Sequence, residues 1–161
     1  TPKPAATQQS AATIRQNAAY AAAAPLREQL LARHDLKGRV AMIEFGMVIN
    51  GILTCELSAQ GLDDMVLHQK LNDVPGLAFL RVEEAKDAAA VDAYYKDKDL
   101  KFPIYRDPNM TMAQAFAATS IPSFVLVDKF GRVRYCGSEP GNQLGKWVAG
   151  LQAERQPIGL G

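Results

Sequence analysis

At 161 residues, with 48% hydrophobic and 22% charged side chains, the chain is long enough for one domain with a real core and too short for two comfortable ones. A net charge of +1 argues against a dedicated nucleic-acid binder, and no window approaches the roughly 18 to 20 consecutive apolar residues that a membrane span requires. Cys55 and Cys136 are too few for a disulfide scaffold, and neither they nor the isolated His34 and His68 show metal-ligand spacing, so no metal or cofactor is expected.

Charge is uneven along the chain. Residues 1–40 carry six Lys/Arg against two Asp/Glu, net +4, which leaves −3 for the remainder and sets the N-terminal segment apart. Residues 1–24 contain ten alanines and almost no large side chains beyond Ile14 and Tyr20. Such a segment favours helix but is marginal alone, so it reads either as a flexible linker or as a helix that orders only against something. Pro25 then opens a short helix over Leu26 to His34, with Leu26, Leu30 and Leu31 on one face. The start at Thr1 points to processing of a longer precursor or to a chosen boundary.

Asp35-Leu36-Lys37-Gly38 is a turn, and Arg39 to Phe45 is a continuous apolar strand interrupted only by Glu44. Small and turn-prone residues follow, and then a helix from about Thr54 to Lys70 with Leu62, Met65 and Val66 at the spacing of a buried stripe. Pro75-Gly76 ends this crossover. Leu77 to Val82 forms a second strand and Ala85 to Lys96 a second helix, which implies a parallel strand pair with a right-handed connection. Beyond Phe102-Pro103-Ile104-Tyr105 and the turn Asp107-Pro108-Asn109, a short helix carries Met112, Ala113, Phe116 and Ala117. The strand Ile121 to Asp128 turns at Lys129-Phe130-Gly131 into an antiparallel partner, Arg132 to Cys136. Leu144, Trp147, Val148 and Leu151 mark a last helix over about Gly141 to Gln152, and the tail is expected to fray. The reading divides into an extension over 1–35, an α/β domain over 36–153 with a mixed central sheet flanked by helices, and a tail over 154–161.

Several of these segments resemble the thioredoxin superfamily, in its thiol-disulfide oxidoreductase and peroxiredoxin-like branch. Leu36-Lys37-Gly38-Arg39-Val40 looks like the approach to its first strand, Phe102-Pro103-Ile104-Tyr105-Arg106-Asp107 like its Phe-Pro-Val-x-x-Asp segment, and Ile121 to Gly131 like its cis-proline strand and hairpin. The resemblance implies a thioredoxin-like fold over Leu36 to about Ala153, with Ile121-Pro122 cis. It also implies that Glu44-Phe45 stand for the family's acid and aromatic, and Glu56 for its helix glutamate. The Cys-x-x-Cys positions, however, hold Asn50-Gly51-Ile52-Leu53. Glu44 then has no thiol to serve, and buried without a counter-charge it should titrate high.

Thiol-disulfide exchange needs a thiolate and a second, resolving thiol, which Asn50 and Leu53 cannot supply. Cys55 lies two residues past the second motif position. A peroxidatic role would want Pro and Thr where Val48 and Ile52 stand. Cys136 is expected at the active-site edge of the sheet, either bridged to Cys55 or as one of two buried, unpaired thiols. The leading expectation is a non-catalytic thioredoxin-like domain acting as a protein-binding or accessory subunit of a larger assembly. Its docking face would be Met47, Val48, Ile49, Asn50, Gly51, Ile52 and Leu53 with Pro122, provided the loop does not fold inward. The rival is a thiol-disulfide or single-cysteine redox enzyme using Cys55, alone or with Cys136, with Glu44 as the accompanying acid. A small-ligand site at the proline cleft has no polar constellation behind it. The same resemblance, with the start at Thr1 rather than Met, favours an extracytoplasmic, periplasmic setting.

Overall fold

The computed structural model describes residues 10–49, 52–53, 56–118, 120, 123–138 and 140–157, with the backbone alone at 52–53 and 56–60. The first elements among the described residues are three short helices: α1 (Ala11–Gln16), α2 (Ala18–Ala22) and α3 (Ala24–Arg33). Strand β1 (Ala41–Gly46) leads through two-residue strands β2 (Val48–Ile49) and β3 (Ile52–Leu53) to helix α4 (Glu56–Leu71). Then come β4 (Ala78–Glu83), α5 (Ala88–Tyr95), β5 (Ile104–Arg106), α6 (Thr111–Ala115), β6 (Ser123–Val127), β7 (Val133–Gly137) and α7 (Leu144–Ala153).

Five strands make one mixed sheet in the order β5-β4-β1-β6-β7. β1 pairs parallel with β4, which pairs parallel with β5, whereas β6 lies antiparallel to both β1 and β7. This is the expected α/β arrangement. The strands β1, β4 and β6 are buried along their whole length because helices cover both faces, so they read as continuous apolar runs rather than alternating ones. Alternation survives in direction. Ala41, Ile43 and Phe45 point toward a core closed by Ile14, Leu30, Leu31 and Phe116, while Val40 and Met42 point toward one closed by Leu62, Met65, Val91 and Val148. Glu44 and Arg81 share that second face with α4 and α5.

From Ser10 onward the Ala-rich segment packs against the protein's own sheet. Its two large side chains, Ile14 and Tyr20, are both buried. Arg15 donates from Nη1 to the carbonyl of Val133 at 2.6 Å, and the Val133 N–H donates to Tyr20 Oη at 3.1 Å. Arg27 is also buried: its guanidinium lies 3.4 Å from the centre of the Tyr20 ring and donates to the carbonyls of Tyr20 at 2.5 Å and Ala115 at 2.8 Å. Ser10 and Asn17 cap the first two helices, accepting from the Thr13 and Ala19 N–H groups. Tertiary contacts therefore supply what alanine propensity alone does not.

The Lys129-Phe130-Gly131 turn forms as the sequence predicts. Asp128 accepts from the N–H groups of Phe130 and Arg132 through one oxygen, and Gly131 takes a φ of +83°.

Tyr20→Phe removes the acceptor of the Val133 N–H while keeping the ring. It is expected to lower stability by about 1–2 kcal/mol, read as a shift in urea midpoint without a change in slope.

Candidate functional site

Glu44 and Arg81 are register partners on β1 and β4, both fully buried, and the Arg81 guanidinium forms an ion pair with the Glu44 carboxylate through Nη1. The sequence expectation of an acid without a counter-charge is corrected here: the counter-charge is Arg81, inside the predicted second strand Leu77 to Val82. The pair dictates its surroundings. A Cβ at Gly46 would collide with the Arg81 guanidinium, and one at Gly61 would lie 2.5 Å from Glu44 Oε2 and 2.8 Å from the Phe124 ring. Glycine at these two positions lets the strand end and α4 close over the charges.

From Arg81 the polar contacts run outward. Its Nε donates to Tyr95 Oη at 3.0 Å, and Tyr95 donates in turn to Glu83 Oε1 at 3.1 Å. Burial pushes the Tyr95 phenol up, so it stays a donor. The other Glu83 oxygen accepts from the N–H groups of Val48 at 3.1 Å and Ala85 at 2.9 Å. Glu83 is itself fully buried. A chain of contacts thus joins the centre of the sheet to the first residue of β2.

β2 and β3 form a two-stranded antiparallel hairpin, with Val48 opposite Leu53 and Ile49 opposite Ile52. The sequence reading had a loop here. Asn50-Gly51 between pairs of apolar residues carries the strongest short-range hairpin signature, at the same positions where the family resemblance places a Cys-x-x-Cys. Of the expected docking residues, Val48 is buried, Met47 is half-buried against the α4-side core, and Ile49 is 46% exposed. Asn50, Gly51, Pro122 and Cys55 lie outside the described residues, as do the side chains of Ile52 and Leu53. The expected cis bond at Ile121-Pro122 and the Cys55 to Cys136 separation fall there too.

Cys136 pairs with Val125 at the sheet edge. It is a free, half-buried thiol that donates weakly to the Ala117 carbonyl at 3.7 Å, and burial pushes it up, away from thiolate character. Among the described residues no group of His, Cys, Asp and Glu is placed to hold a metal, and no helix is long and apolar enough to cross a membrane.

No protein-family model matches the chain, and no curated protein matches it. Solved structures do. A protein assigned as the thiol:disulfide interchange protein DsbE from Chlorobium tepidum superposes with a TM-score of 0.61 at 17% identity, over 73% of this chain and 83% of that one. A protein assigned as a thioredoxin from Neisseria meningitidis gives 0.61 at 23% identity, over 76% and 80%. A secreted Mycobacterium tuberculosis disulfide oxidoreductase homologous to Escherichia coli DsbE gives 0.56 at 17%, over 72% and 84%. The fold is thioredoxin-like. Within this thioredoxin-like frame, the β2–β3 hairpin occupies the stretch where the sequence resemblance places the redox motif.

Breaking the buried pair from one side leaves a charge uncompensated. Arg81→Met is expected to cost about 3–5 kcal/mol, and adding Glu44→Leu to recover most of that loss, measured by chemical denaturation of the two singles and the double.

Proposed function

We propose that this chain is a thioredoxin-like domain without thiol chemistry, serving as a protein-binding or accessory subunit of a larger assembly. The observation that carries the reading is the commitment of Glu44 to Arg81. A buried acid beside a redox motif is useful when it can take up and release a proton, but protonating Glu44 would strip the buried Arg81 guanidinium of its close carboxylate and leave it Glu83 at 3.9 Å. Asn50 and Leu53 at the motif positions supply no thiol, and Cys136 is held away from its reactive form. What the site retains is a pinned hairpin with Ile49 turned to solvent, a small apolar anchor on a rigid support.

The setting we infer is extracytoplasmic and periplasm-like, and the secreted oxidoreductase among the structural relatives supports it.

The rival reading, a redox enzyme working through Cys55, predicts activity. On the accessory reading the purified chain reduces no protein disulfide above the uncatalysed rate, with or without a dithiol reductant, and Cys55→Ser changes nothing. A rate that Cys55→Ser abolishes would overturn the proposal. Ile49→Asp is expected to keep the thermal midpoint within about 2 °C, as surface substitutions do, while losing a stoichiometric partner that copurifies with the unmodified chain. Equal loss of folding and assembly would remove Ile49 as an anchor.

A further inference from the structure

Glu84 follows the last residue of β4 and is a buried carboxyl that neither the ion pair nor the hairpin anchor uses. It is 1% exposed, its N–H donates to the Gly46 carbonyl at 2.9 Å, and among the described residues no donor reaches either of its oxygens. The polar side chain facing it within hydrogen-bond reach is Asp107, at the end of β5. Asp107 is buried as well and already accepts from two backbone groups, the N–H of Met112 at 3.0 Å and of Ala113 at 3.1 Å, both at the start of α6. Its own N–H donates to the Glu83 carbonyl at 2.9 Å.

Two ionised carboxylates are both acceptors, so nothing but a proton can join them. Asp107, fixed by backbone donors, is the natural acceptor, which leaves Glu84 as the O–H donor. We propose that Glu84 and Asp107 share one proton, forming a latch that ties the end of β4 to the start of α6 and opens when alkaline pH removes that proton. The charged groups around Glu84 agree. Glu83, on its own strand, repels a second charge, as Asp107 does from the β5–α6 turn. Arg81 alone opposes them, and it is already engaged with Glu44. Arg106, on β5, spends its Nη2 on the Ala85 and Lys86 carbonyls. Burial first, then the contact with Asp107, pushes Glu84 up from its ordinary 4.5 to about 9.

The sign follows from proton counting. Between those two values the folded chain holds a proton that the unfolded chain lacks, so this contribution to stability is complete below about 4.5, declines as pH rises, and is gone above about 9. Opening the latch also frees the Asp107 cap on α6, whose Ala115 carbonyl holds Arg27.

The test compares the unmodified chain with Glu84→Gln, whose amide donates to Asp107 at every pH. The ratio of their unfolding constants is expected to change about tenfold per pH unit from pH 6 to 9, because one proton is linked to folding in one protein and not in the other. Above pH 9, exchange of the Met112 and Ala113 amides should quicken by more than the rise in their intrinsic rate in the unmodified chain and not in Glu84→Gln. A pH-independent ratio, or equal exchange in both, would overturn the latch. Should Glu84→Gln fail to fold, carbon-13 carboxyl NMR of the unmodified chain decides: a Glu84 carboxyl protonated at pH 7 supports the proposal, and an ionised one ends it.

Discussion

A guanidinium buried at the centre of a sheet must be matched, and the rest of this molecule is arranged around matching Arg81. Desolvating an ion costs several kcal/mol, a cost offset only by close, well-directed partners. Glu44 supplies the opposite charge from the neighbouring strand, and Tyr95 supplies an acceptor from α5. The absence of side chains at Gly46 and Gly61 supplies the room. Glu83 closes the outer end and, by accepting from Val48, converts an electrostatic requirement of the core into a fixed position for the hairpin. The geometry of the surface loop is in this sense decided several residues beneath it.

The two unusual carboxyls nearby meet burial in opposite ways. Glu44 is matched by a fixed positive charge, whereas Glu84 meets another acid and is matched by a proton. Both sit at the end of the sheet where the hairpin departs. One end of the sheet therefore holds two buried carboxyls, one balanced by a neighbouring guanidinium and one by a proton.

Most of the fold was legible in the sequence because it rests on local signals: the apolar run ending at Phe45, the stripe Leu62, Met65 and Val66, and the turn Lys129-Phe130-Gly131. The site was less legible, for two physical reasons. Arg81 reads as a polar interruption in a strand, and pairing with Glu44 becomes visible only once β1 and β4 are set in register. Asn50-Gly51 carries its own hairpin signal, but it coincides with the family's Cys-x-x-Cys positions, so two local readings compete for one stretch. The Ala-rich segment was ambiguous because its two anchors, Ile14 and Tyr20, gain their meaning from β7, more than a hundred residues away.

That contact has a further consequence. β7 is the last strand of the sheet, and an outermost strand offers unpaired backbone groups to any passing chain. Tyr20 and Arg15 occupy the donor and the acceptor of Val133 with side chains, which cannot propagate a ladder as another strand would. The alanine-rich stretch, which as a sequence looks like a tether, thus helps to keep two copies of this protein from joining their sheets.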